Sequence, residues 1–161
     1  MFTHLRRDRS GAAAAEMALV LPLLLIIMMG SMELGNYFLD EHILVKAVRD
    51  GARFAARQSF TNYTCSTTIV DPTVIQNTQN VVMTGLVSGG TNRLADWQTT
   101  EITVSTRCDT TTSTGIYKGS TGAPIVIVDA TMNYVPILHS YGFTGFGSTL
   151  KARQEAAVAG I

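Results

Sequence analysis

The sequence predicts an α+β protein in which a long N-terminal helix precedes a small antiparallel-sheet domain with one additional helix. Helical periodicity runs unbroken from Gly11 to Arg57. After Gln58 the composition becomes rich in Thr and Asn, and segments with strand alternation follow from residue 101 onward. The expected organisation is a leader (1–11), a transmembrane helix (12–32), its amphipathic extension (33–58) and an outer α+β domain (59–161).

The leader is basic and indicates how the chain is oriented. It carries three arginines and one aspartate, a net charge of +2. Because Lys and Arg beside an apolar segment stay on the cytoplasmic side, we expect a cytoplasmic N-terminus and, in a bacterium, a periplasmic outer domain. The formal charge of the whole chain is zero, which gives no reason to expect nucleic acid as a partner.

The first half of the predicted helix is apolar enough to cross a bilayer. Met17 to Met32 contains no charge, and with residues 12–16 it makes a stretch of about 31 Å, close to a hydrocarbon core of about 30 Å. Small residues precede this stretch instead of following it, unlike the cleavage site of an ordinary signal peptide. Glu16 either reaches the cytoplasmic headgroups or meets a positive partner. Pro22 should kink the helix, since it removes one hydrogen bond.

The second half of the helix carries three kinds of surface. Apolar residues at helical spacing predict one apolar stripe, made of Leu34, Phe38, Val45, Val48, Ala52 and Ala55. A basic row comprises Lys46, Arg49, Arg53 and Arg57, which is either a solvated face or a contact for acidic groups of a neighbouring subunit. Small residues that would let another backbone approach are Ser31, Gly35, Gly51, Ala52 and Ala55.

The outer domain has clear start and stop signals. Asp71 followed by Pro72 predicts the start of a helix that extends to about Val87 and ends at Ser88-Gly89-Gly90. Strands are expected at 101–107, 125–135 and 150–158, with a turn-rich hairpin connection at 112–122. The best strand places Val126, Val128, Ala130, Met132 and Tyr134 on one face, and Pro136 stops it. A sheet of three or four antiparallel strands follows.

Both cysteines, Cys65 and Cys108, fall in the outer domain. An oxidising compartment favours a disulfide between them, and two unpaired thiols are the alternative. For a loop of this length the chain-entropy model gives about 4 kcal/mol at most.

No motif indicates catalysis. The three histidines lack neighbouring acidic or cysteine residues in a metal-binding or nucleophilic pattern, and there is neither a phosphate-binding loop nor a G-x-S-x-G sequence. We therefore expect no enzymatic activity, no cofactor and no metal.

A resemblance rests on the N-terminal motif. The N-terminus has the order of features that is typical of a prepilin. A basic head is followed by a glycine (Gly11), four small residues, a carboxylate (Glu16) and an apolar helix. RDRSGAAAAEMALVLPLLL followed by GSMELGNYFLDEHILVKAVRDGARFAAR resembles the TadE-like family, pseudopilins of the tight-adherence (Tad/Flp) pilus system. The combination is specific: the Gly11/Glu16 spacing, the ALVLP segment with Pro22, the later Glu33, and VRDGARFAA.

The resemblance implies cleavage between Gly11 and Ala12 by a prepilin peptidase on the cytoplasmic side. Glu16 would then pair with the Ala12 amine of a neighbouring subunit and set its register. Met17 departs from related pilins, which carry an aromatic residue after the glutamate.

The implied function is that of a non-enzymatic minor pseudopilin in the inner membrane, acting in biogenesis of an adherence pilus. Its implied partners are membrane lipid, the prepilin peptidase, other pilins or pseudopilins and the inner-membrane assembly platform. Incorporation into the filament stays open. The alternatives are an uncleaved single-span anchor presenting a periplasmic binding domain, and a type II secretion minor pseudopilin. Ala12 disfavours the latter, since that class usually has Phe after the cleaved glycine.

Overall fold

The computed structural model describes residues 10–65, 67, 69–141 and 148–160. Most of the predicted leader and most of the Gly-rich segment 141–147 lie outside these described residues. The helices are α1 (Ser10–Ala56) and α2 (Pro72–Thr84). The strands are β1 (Tyr63–Thr64), β2 (Ile69–Val70), β3 (Ile102–Asp109), β4 (Ala123–Asn133) and β5 (Thr149–Ala157). Short 3-10 turns occupy Phe60–Asn62, Thr99–Glu101, Gly115–Tyr117 and Ile137–Tyr141.

The predicted fold class is confirmed. A long helix is followed by one further helix and by a three-stranded antiparallel sheet in the order β3-β4-β5. The segment 112–122 connects β3 to β4 as a hairpin, with Val104 opposite Val128. Sequence reasoning missed the β1–β2 ribbon, which pairs only two residues on each side.

Helix α2 begins where the sequence predicted and ends earlier. The Asp71 side chain accepts a hydrogen bond from the Thr73 N–H at 2.8 Å and caps the first turn. The helix ends at Thr84 instead of Val87 because Gly85 adopts the left-handed conformation (φ 85°) and donates its N–H to the Val81 carbonyl. Glycine takes this conformation without the steric cost of a Cβ, so the first of the available glycines ends the helix.

The sheet lies along the outer half of α1. At about 1.5 Å per residue the helix rises about 35 Å from Glu33 to Ala56, and at about 3.4 Å per residue β4 spans about 34 Å. The two lengths match, and contacts occur at both ends. The Tyr134 hydroxyl, just after β4, meets Glu33, while the Ala159 N–H after β5 donates to the Ala56 carbonyl at 2.7 Å. Strand β4 therefore runs antiparallel to α1.

The core forms between α1, α2 and the inner face of the sheet. As predicted, alternate residues of β4 and its extension are buried, namely Val126, Val128, Ala130, Met132 and Tyr134. On α1 the buried residues are Leu44, Ala47, Val48, Gly51, Ala52, Ala55 and Ala56.

Only part of the predicted apolar stripe of α1 is buried in this chain. Val48, Ala52 and Ala55 are buried, whereas Leu34, Phe38 and Val45 are exposed. The outer half of α1 has apolar residues on more than one side, and the partner elements pack where small residues permit close approach. The larger side chains on the other side remain uncovered.

Two contacts fix the end of the domain farthest from the apolar half of α1. Cys65 and Cys108 form a disulfide with a Cα–Cα distance of 5.5 Å, joining the β1 end to β3. The buried Tyr63 hydroxyl donates to the Ala55 carbonyl at 2.6 Å, and burial raises the pKa of Tyr63 to about 12. That bond satisfies one of the last carbonyls of α1, which have no partner inside the helix.

Candidate functional site

The apolar half of α1 is uncovered. From Gly11 to Met32 every residue is exposed in the described chain. The most apolar 18-residue window has a mean hydropathy of 2.3 and no part of it is buried. This helix is long and apolar enough to cross a membrane, and its position near the N-terminus fits a single-pass membrane protein.

The predicted cleavage residues lie at the very start of this helix. Helix α1 begins at Ser10, so Gly11 and Ala12 are in its first turn and are exposed. Glu16 follows about one turn later and is also exposed. Within the described residues the fold brings no cationic group to Glu16.

Pro22 lies inside the continuous helix. It has no N–H, so the carbonyl of Ala18 lacks its usual donor. Transmembrane helices tolerate this loss when neighbouring groups satisfy the carbonyl. The kink stays a prediction.

The five small residues do not form one surface. Gly51, Ala52 and Ala55 are buried inside this chain. A Cβ added to Gly51 would lie 2.3 Å from the Val82 side chain of α2, so Gly51 permits the close α1–α2 crossing. All three are therefore covered within this chain and are not available to another subunit, and the helix that approaches Gly51 is α2.

The two small residues nearer the apolar half are different. Ser31 and Gly35 are exposed, and a Cβ added to Gly35 would meet nothing within 4 Å. The Ser31 hydroxyl donates to the Met28 carbonyl at 2.8 Å, within the same helix. Only this pair remains available for packing against another helix.

The basic row is an exposed surface. Lys46, Arg49, Arg53 and Arg57 are all exposed, and none forms an ion pair among the residues that the structure describes. Asp50, which lies next to the row in sequence, pairs instead with Arg93 at 3.1 Å. Both interpretations of the row, a solvated face and a contact for acidic groups, therefore stay open.

Sequence reasoning missed a contact between α1 and the end of the sheet. The Glu33 carboxylate accepts hydrogen bonds from the backbone N–H groups of Ile137 and Leu138, each at 3.2 Å. It also accepts one from the Tyr134 hydroxyl. We call this set of contacts the Glu33 clamp. Its position is notable because Glu33 is the first charged residue after the apolar run.

Neighbouring residues support the clamp. Asn36 donates its side-chain N–H to the Tyr134 hydroxyl at 3.1 Å, and the Tyr37 ring meets the Tyr134 ring edge-on with centroids 5.2 Å apart. Burial and the hydrogen bond to Glu33 raise the pKa of Tyr134, so its hydroxyl keeps its proton and donates. The available sequence signal was Glu33 itself, which formed part of the family resemblance. Its partners lie about a hundred residues later, and no local pattern links them.

The described residues contain no group of three or more His, Cys, Asp or Glu side chains arranged to hold a metal ion. The features that the fold presents are therefore surfaces for contact: an uncovered apolar helix, an exposed basic row and a clamp between helix and sheet.

Comparison with known proteins matches the same helix. Residues 11–53 match the family model of TadE-like protein, and the match includes neither α2 nor the sheet. No curated protein and no solved structure matches the chain. The family match confirms the resemblance seen in the sequence and indicates involvement in Tad pilus assembly. Over residues 11–53, the N-terminal helix of this chain is thus similar to the TadE-like proteins.

Proposed function

We propose that this chain is a non-enzymatic minor pseudopilin that acts in the biogenesis of a Tad/Flp pilus for adherence. The observation that carries the proposal is the form of α1. One unbroken helix joins an apolar half that nothing in the described chain covers to an outer half that is fixed to a folded domain. Such a helix is suited to packing beside others of its kind in a membrane or filament.

Processing would prepare this helix for assembly. A prepilin peptidase would cut between Gly11 and Ala12, which lie exposed in the first turn. The new α-amine on Ala12 would have an ordinary pKa of about 8 and be mostly charged. Glu16 of one subunit would pair with that amine on its neighbour. Pairing replaces two isolated charges in an apolar environment with one ion pair. Because the pair forms only when the two subunits are correctly aligned, it favours one axial register over others.

The remaining features fit the same arrangement. The basic leader favours a cytoplasmic N-terminus and a periplasmic domain. The exposed pair Ser31 and Gly35 would let a neighbouring helix approach at the outer end of the apolar run. The basic row would meet acidic groups of another pilin, pseudopilin or assembly-platform protein, since no carboxylate of the described chain neutralises it.

The test is complementation of a strain that lacks this gene, with surface pili and adherence as readouts. The wild-type chain should restore both. Glu16→Ala should insert into the membrane at the wild-type level but fail to restore pili, because the apolar span remains and its charged contact is gone. Glu41→Ala is the matched control, since it removes an exposed carboxylate from the outer half of the same helix.

Two results would contradict the proposal. Normal piliation of the strain that lacks the gene would show that the chain is not needed for pilus assembly. Full complementation by Glu16→Ala would remove the registration role.

A further inference from the structure

Two exposed apolar side chains lie at the end of the sheet nearest the apolar half of α1. Val135 is 54% exposed and Ile137 is 40% exposed, on either side of Pro136. They belong to the segment 135–138 that follows β4, which we call the distal turn. Its backbone is held by the Glu33 clamp.

The clamp fixes the height of the distal turn along the helix. Side chains of an α-helix lean toward its N-terminus, so the Glu33 carboxylate lies beside the preceding turn, at the level of residues 29–32. The N–H groups of Ile137 and Leu138 bind that carboxylate directly. The distal turn therefore lies level with the end of the uncharged run at Met32.

This level corresponds to the boundary of a bilayer. If residues 12–32 fill a hydrocarbon core of about 30 Å, a headgroup layer of about 5–8 Å begins at Met32. One helical turn rises about 5.4 Å, so the distal turn falls within that layer. The Tyr37 ring contacts the rings of both Phe38 and Tyr134 at the same end of the domain. Aromatic residues are enriched at this depth of membrane proteins.

We propose that Val135 and Ile137 insert into the boundary between headgroups and acyl chains, so that the outer domain rests on the membrane surface. Lipid is the favoured occupant because Met32 and the rest of the apolar half of α1 are exposed on the same level and below it. The proposal needs only that α1 spans a bilayer. It stands whether or not the chain is cleaved or assembled into a pilus.

The test uses the full-length chain in lipid nanodiscs that contain acyl-brominated phospholipid, which quenches tryptophan on contact. The variants are Val135→Trp and Ile137→Trp. The matched control is Ile116→Trp, since Ile116 is 63% exposed in another loop. Ile116 lies beside Phe60 and Tyr63, just beyond the end of α1 and about 35 Å farther along the helix axis. The native Trp97 is only 1% exposed, and the wild-type chain provides its background signal.

Indoles at positions 135 and 137 should be quenched several-fold more strongly than the one at 116. Equal, weak quenching at all three positions would overturn the proposal. Blue-shifted emission at 135 and 137 without quenching would also overturn it, because a protein surface would then cover the turn. A second measurement avoids substitution: in the methyl-labelled wild-type chain, spin-labelled lipid should broaden the Val135 and Ile137 resonances and spare Ile116.

Discussion

The carboxylate of Glu33 binds the hydroxyl of Tyr134, 101 residues later in the chain. This contact joins the first charged residue after the apolar run to the end of the central strand. It closes the domain at the end nearest the apolar half of α1, while the Ala159–Ala56 hydrogen bond closes the far end. The outer half of α1 is therefore part of the domain core and not a flexible stalk.

Removing the clamp should destabilise the membrane-proximal end of the domain. Glu33→Ala leaves the N–H groups of Ile137 and Leu138 without their acceptor and leaves the Tyr134 hydroxyl only the Glu33 backbone carbonyl, at 3.3 Å. The expected loss is about 1–3 kcal/mol. Denaturant unfolding in detergent, followed by Trp97 fluorescence, measures it. Glu41→Ala, on the exposed side of the same helix, should change the unfolding free energy little. Equal effects of the two variants would show that the clamp adds no stability.

Alanine should have opposite effects at two glycines of α1. At Gly51 the new Cβ would lie 2.3 Å from the Val82 side chain, which is fully buried and, being β-branched, has little rotamer freedom. Overpacking costs about 1–3 kcal/mol and improved helix propensity returns about 1 kcal/mol, so Gly51→Ala should be destabilising. At Gly35 nothing lies within 4 Å, so the same change should be neutral or stabilising. Thermal unfolding of both variants measures these effects. A stabilising effect of Gly51→Ala would contradict the close α1–α2 packing.

The disulfide should stabilise the domain by constraining its unfolded chain. Cys65 and Cys108 are separated by 43 residues, for which the chain-entropy model gives about 4 kcal/mol. The double variant Cys65→Ser/Cys108→Ser should unfold at a lower denaturant concentration, and reduced wild-type protein should behave like it. If reduction leaves the wild-type midpoint unchanged, the cross-link does not contribute.

Stability should fall in acid through the Glu155 carboxylate on the solvent face of the sheet. Hydrogen bonds from Arg107, at 2.8 Å, and Arg153, at 3.0 Å, hold the pKa of Glu155 below its ordinary value of 4.5. Because the unfolded state then binds the proton more readily, this contribution is present above pH 4.5 and is lost as the pH falls through the lower folded-state pKa.

Glu155→Gln should therefore have a lower free energy of unfolding than wild type at neutral pH. This difference in unfolding free energy, the gap between the two proteins, should disappear in acid. Asp109, whose pKa is lowered by hydrogen bonds from Thr111, is present in both proteins, so their difference isolates Glu155. High salt should narrow the gap, since the carboxylate is exposed to solvent. A gap that persists at low pH would indicate lost packing instead of lost charge.

Local patterns predicted most of the fold. Hydrophobic periodicity and helix-capping residues predicted the positions of α1, of the start of α2 at Asp71 and of the three strands. Each of these sequence signals lies within a few residues, so it can be recognised without knowledge of the fold. The Glu33–Tyr134 contact could not be predicted, since it depends on how β4 lies against α1. The same holds for the buried side of α1: Leu34 and Phe38 have the right spacing, but only docking of the sheet decides which side is covered.

The candidate site was predicted unevenly for the same reason. The Gly11/Glu16 spacing is a local motif and was readable. The small residues Gly51 and Ala52 were also noticed, but the sequence could not distinguish packing within the chain from packing between subunits. The structure shows that Gly51 and Ala52 are covered within the chain itself.

The intact mass of the membrane-extracted chain tests the central claim most directly. If the protein is a processed pseudopilin, cells that contain a prepilin peptidase should yield a chain that starts at Ala12, and cells lacking the peptidase should yield one that starts at Met1. A Met1 start in piliated cells with active peptidase would contradict the account and favour an uncleaved anchor.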